Sequence, residues 1–156
     1  MKKILFVLLF GVSLIMPKSD YKEYENIQTS FDDSVEIDVI VNDSEKSFSK
    51  ESSEYYSILF EFKQLIYGSY EMPALGVSVD EWTREEMKSG VWLEFEFASV
   101  AYNNELPFDA LLIKVEEESG GFNVIRRYEG KYEGRCFYIS LVDTTMRNLY
   151  YYLVRL

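Results

Sequence analysis

Carboxylates are the most numerous side chains in this sequence that could move a proton or hold an ion: 27 Asp and Glu stand against 16 Lys and Arg, with no histidine among 156 residues. The missing imidazole removes Ser-His-Asp and Cys-His nucleophile systems and His-ligated zinc, since each needs a group titrating near neutral pH or an imidazole ligand. Cys136 is the one cysteine, so no thiolate metal cage, Cys-x-x-Cys redox pair or intramolecular disulfide can form. Gly120-Gly121 lacks the third glycine and following helix of a dinucleotide site, and no P-loop or EF-hand spacing occurs. No cofactor, metal site or catalytic residue is therefore assigned.

Three chemistries remain. Glycoside hydrolysis needs two acids at a set separation, and Glu94 and Glu96 offer such a pair, although a solvated strand face gives the same spacing. The run Glu116-Glu117-Glu118 would attract a hard cation, yet it reads more simply as an exposed turn before Gly120-Gly121. The segment from Arg126 to Arg135 is locally basic. Arg126 and Arg135 are candidates for holding a carboxylate or phosphate in a guanidinium fork, the plainer reading being ordinary surface ion pairs. Without an imidazole to activate it, Cys136 reads as a small packing residue.

The elements that position these residues follow from hydrophobic period. Lys2 and Lys3 precede an apolar run from Ile4 to Met16, the pattern of a secretory signal and too short to span about 30 Å of hydrocarbon as a helix. Residues 1–19 are accordingly expected to be a signal peptide or, since no clear cleavage site precedes Ser19, an N-terminal membrane anchor. A buried element of a cytoplasmic protein is the alternative. Residues 20–33 are polar and without period, as in a flexible linker, and the domain is expected over 34–156.

Val35, Ile37, Val39 and Val41 alternate with Glu36, Asp38 and Ile40 as in a half-buried strand, and 42–51 read as a loop. From Ser52 to Tyr67 the period becomes helical, with Tyr55, Leu59, Phe62 and Ile66 on one stripe. A second stripe, Tyr56, Phe60 and Tyr67, is expected to lie under the loop containing Met72 to Leu75. Thr83 and Glu86 look like the capping box of a short helix ended by Gly90. Four strands follow, over Val91–Phe97, Leu111–Glu116, from Phe122, and after a Glu129-Gly130 turn. That turn pairs Tyr128 with Lys131, Arg126 with Glu133, Val124 with Arg135 and Phe122 with Phe137, placing Phe122, Val124, Phe137, Ile139 and Leu141 on one face. A last helix from about Thr145 would bury Met146, Leu149, Tyr150 and Leu153.

The fold class expected is α+β, a two-layer sandwich with a mainly antiparallel sheet of about five strands and helices on one face. Alternation puts Trp92, Glu94, Glu96, Lys114, Glu116, Arg127, Tyr132 and Tyr138 on the other face, left partly open, with Trp92, Lys114, Arg127 and Tyr138 as candidate binding residues. The function expected is a small exported module, non-enzymatic, binding a protein, peptide or glycan. A carboxylate-dependent extracytoplasmic hydrolase and an intracellular accessory domain are the alternatives. A net charge of −11 argues against nucleic acid or anionic lipid as partner. Membrane contact is expected only through an uncleaved N-terminal segment.

Overall fold

A computed structural model describes residues 21–156, so the expected signal or anchor segment lies outside the described residues. The elements in chain order are β1 (Lys22–Tyr24), α1 (Ile27–Ser30) running into a 3-10 turn (Phe31–Asp33), β2 (Glu36–Val41), β3 (Ser44–Ser49) and α2 (Ser53–Ile66). After them come β4 (Tyr70–Ser78), α3 (Asp80–Glu86), β5 (Val91–Asn103), β6 (Leu106–Val115), β7 (Gly121–Arg127), β8 (Gly134–Ser140) and α4 (Arg147–Leu153).

The α+β class holds, but the sheet is larger than a five-strand sandwich layer: eight strands in the order β3-β2-β5-β6-β7-β8-β4, with β1 beside β5. All of the pairings are antiparallel except that of β1 with β5. Strand β5 is long enough to take β2 along Val91–Glu96 and β1 along Ala101–Asn103, with a register shift between the two stretches.

The extra strands come from segments whose composition hides them. Strand β3 is polar because it is an exposed edge; it is folded back on β2 by Asn42 and Asp43, both at positive φ as a tight hairpin turn requires. The residues expected as loop 42–51 are therefore largely strand. Strand β4 carries Pro73 and an irregularity between Met72 and Gly76, which erase the period of two from its sequence. The described part of the expected linker, residues 21–33, also belongs to the fold. Ile27 and Phe31 are fully buried, and Phe31 meets Phe62 and Phe95 with ring centroids 4.7 and 4.8 Å apart.

Helices α1, α2 and α4 bury one sheet face in the main core. Ser52 caps α2 by accepting from the Tyr55 N–H, and Tyr55, Ile58, Phe62 and Ile66 form its buried stripe. Ile58 takes the place expected for Leu59. Helix α4 starts later than expected, at Arg147, and buries Leu149 and Leu153 beside Met146.

In the last hairpin the turn and the Tyr128–Lys131 pair are as expected. Beyond it the register slips by two, so Val124 faces Phe137 and Phe122 faces Ile139. An even slip keeps every side chain on its expected face, and the extra residues are taken up around Gly134 at φ 94°. A side chain there would meet the Arg126 guanidinium at 3.0 Å. Helix α3 begins three residues before the expected cap: Thr83 is buried inside it, its N–H bonded to the Val79 carbonyl. Among the described residues no loop covers the second stripe of α2, because Met72 to Leu75 belong to β4, and Tyr56, Phe60 and Tyr67 are exposed.

Candidate functional site

The sheet face opposite α1, α2 and α4 carries the candidate residues, and pairing fixes which of them meet. Trp92 stands between Ile40 of β2 and Lys114 of β6. Glu94 stands between Asp38 and Leu112, and Glu96 between Glu36 and Ala110, whose other neighbour is Arg127. The small side chain of Ala110 lets Arg127 reach across it to β5.

This face is not the open surface expected around Trp92, which is 1% exposed. Trp92 packs with Ile40, Leu112 and Tyr132 in a second small core, against Met87 and Ile125, and its Nε1–H donates to the Ser89 carbonyl at 2.8 Å. The segment after α3 and the turn before β8 thus cover the middle of the sheet. Lys114 lies over the Trp92 ring at 5.6 Å, within reach of Glu86 and Glu116 at 3.9 and 3.4 Å. Tyr138 is more than a third exposed.

Trp92, Lys114 and Tyr138 meet at one recess of about 310 Å³, lined also by Asn123, Glu86 and Glu116. That is about the lower bound for a ligand pocket. Two features shape its surroundings. Tyr138 pairs across strands with Met72 of the edge strand β4, and Gly76 stands so close to Asn123 that a Cβ there would meet Oδ1 at 3.1 Å. Trp82, one helical turn before Glu86, is exposed, as is Met72 of β4 beside Tyr138. Comparison with protein-family models, with curated proteins and with solved structures found no match to this chain. The site therefore has to be read from its own geometry.

Arg127 is held apart from the recess, in an acidic cluster. Its guanidinium donates to both Glu96 oxygens at 2.6 Å, to Glu94 Oε1 at 3.2 Å and to Asp109 Oδ1 at 2.8 Å. Burial alone would lower its pKa, but the bonds to Glu96 and Asp109 and the charge of Glu94 outweigh burial and raise it. Glu94 is buried and also accepts from the Tyr132 hydroxyl at 2.7 Å. Burial pushes its carboxyl up to about 7 despite the Tyr132 bond and the Arg127 charge. Asp38 is buried beside it, and desolvation raises it to about 6, offset in part by the Ser47 hydroxyl and reinforced by Glu45, Glu36 and Glu96.

Arg126 points to the helix side and is buried, donating to the Arg135 carbonyl at 2.8 Å and the Pro107 carbonyl at 2.5 Å. Burial lowers its pKa. The Arg135 side chain is exposed, so the bond between the two residues runs through the Arg135 backbone. The Glu116 to Glu118 run is tied to α4, with Arg147 on Glu117 and Glu118 and the Tyr151 hydroxyl donating to Glu117 at 2.9 Å. Cys136 is buried, and burial pushes its thiol up, as expected of a packing residue. Sequence reading overlooked Asp38, Asn123 and Gly76. Asp38 was visible as the polar residue between Ile37 and Val39, but its meeting with Glu94 depends on a pairing of β2 with β5 across more than fifty residues.

Proposed function

We propose that this chain is an exported, non-enzymatic module that binds an extended segment of a partner protein at the recess between α3 and the β8–β4 end of the sheet. The observation that carries the reading is the convergence of Trp92, Lys114 and Tyr138 from three strands on one recess beside the edge strand β4, whose exposed Met72 pairs with Tyr138. Met72, paired with Tyr138 on the edge strand, offers aliphatic contact next to the recess, which suits polypeptide side chains better than the hydroxyls of a glycan. Helix α3 adds Trp82, and Trp, Tyr and Arg are the residues most often found at energetic centres of interfaces. Glu86 and Glu116 on the rim, within a chain of net charge −11, select for a segment that carries basic residues. Pro73 has no N–H to offer a pairing strand, so capture would run through side chains and the 74–78 stretch of β4.

The hydrolase alternative has less support. Its acid candidate Glu94 is buried, and its Oε1 is already engaged by Tyr132 and Arg127, which leaves little room to protonate a substrate.

The test is to pan a random peptide library on the purified chain and then measure the enriched peptides against Tyr138→Ala, Lys114→Glu and Met72→Asp. The reading predicts peptides combining apolar and basic residues, bound about tenfold or more weakly by Tyr138→Ala. Absence of enrichment, or equal binding to all three variants, would contradict it. Selective capture on a glycan array would replace it with the carbohydrate alternative.

A further inference from the structure

The second cluster on the same face asks for a ligand of its own, independent of partner binding. Asp38, Glu94 and Glu96 can each place a carboxylate oxygen within 4.8 Å of the other two. Asp38 and Glu94 are 6% and 5% exposed, and Asp38 Oδ1 is buried with no hydrogen-bond partner. A buried acceptor left without a donor is rare in folded proteins and points to a ligand that satisfies it. The charge count agrees, because Arg127 is the guanidinium that faces Glu94, Glu96 and Asp109 as well as the Asp38 neighbourhood. One positive charge among four carboxylates leaves three negative charges when all are ionised.

We propose that Asp38, Glu94 and Glu96 bind a hard divalent cation of the Ca²⁺ class between β2 and β5. The donor set is entirely carboxylate, which selects hard ions over zinc or copper. Two oxygens bound to one Ca²⁺ at about 2.4 Å are at most about 4.8 Å apart, a bound that the three carboxylates meet. The approach is from the Glu96 side, where Glu96 and Arg127 are 22% and 23% exposed.

Terbium luminescence on the full chain tests this, because Tyr132 bonds directly to Glu94 and can sensitise an ion bound there. At neutral pH the expected result is a saturable emission equivalent to one ion per chain, displaced by Ca²⁺. Asp38→Asn should weaken binding by about tenfold or more, on the scale seen for changes around metal ligands, while Glu118→Gln in the exposed acidic run leaves it unchanged. Ca²⁺ should also raise the Tm of the parent and not of Asp38→Asn, since a ligand that binds the folded state alone stabilises it. Emission that never saturates, that survives both Asp38→Asn and Glu94→Gln, or that Ca²⁺ cannot displace would overturn the proposal. So would a parent Tm indifferent to Ca²⁺, the cluster then being balanced by protons alone.

Discussion

Asp38 and Glu94 stand opposite each other across β2 and β5, and their raised pKa values of about 6 and about 7, against ordinary values of 3.8 and 4.5, fix the sign of their contribution to stability. A carboxyl that holds its proton more tightly when folded adds nothing unfavourable below its unfolded pKa and destabilises the fold as pH rises through the folded one. The groups facing this pair are Glu36 of β2, Glu45 and Ser47 of β3, Glu96 of β5, Asp109 of β6, Arg127 of β7 and Tyr132. Asp33 and Asp80, held low by hydrogen bonds from Lys22 and from the Tyr132 backbone respectively, act at lower pH and with the opposite sign. With chelator present, urea unfolding is expected to give lower stability at pH 8 than at pH 5. Asp38→Asn should recover on the order of 1–3 kcal/mol at pH 8, at roughly 1.4 kcal/mol per pKa unit. Stability of the parent that rises over this range would show that Arg127 dominates the cluster. Cys136→Ser, a near-isosteric change at a buried site with a weak contact from Sγ to the Gly134 carbonyl at 3.7 Å, is expected to cost no more than about 1.5 kcal/mol. Thermal unfolding of the variant measures it.

Two elements change their meaning once packed, and both changes can be tested. Residues 20–33 have the composition of a linker, but Ile27 and Phe31 fill the space between α2 and the sheet. Phe31→Ala is expected to destabilise the chain by about 3–5 kcal/mol, the usual range for a core aromatic truncated to Ala, whereas a true linker residue would change it by less than about 0.5 kcal/mol. Trp92→Ala should be similarly destabilising, because the ring is the centre of the second core, so a loss of binding in that variant would not identify a contact. What the sequence made legible was the helical stripe of α2, the run β5 to β8 and the faces of the last hairpin, all carried by local period. Strands β1, β3 and β4 were not, because one is three residues long, one is a polar edge and one is broken by Pro73 and a register shift. Of the candidate site, Lys114 and Tyr138 were placed on the correct face by alternation. Their junction with Asn123 and the covering of Trp92 by the segment after α3 and by Tyr132 depend on contacts no local pattern encodes.

The sheet has two differently furnished regions on one face: a recess flanked by the exposed Met72 and a buried knot of acids around Arg127. The strong negative charge of the chain favours basic partners for the first and cations for the second, and it makes both associations weaken with added salt. If the proposed function holds, the recess, and not the exposed α2 stripe of Tyr56 and Phe60, receives the partner. Amide chemical-shift mapping of the labelled chain, titrated with a panned peptide, tests this most directly. The account predicts that the largest shifts fall on Lys114, Asn123, Tyr138 and residues 72–78. Shifts concentrated on Tyr56, Phe60 and Tyr152, which line a separate recess, would contradict it.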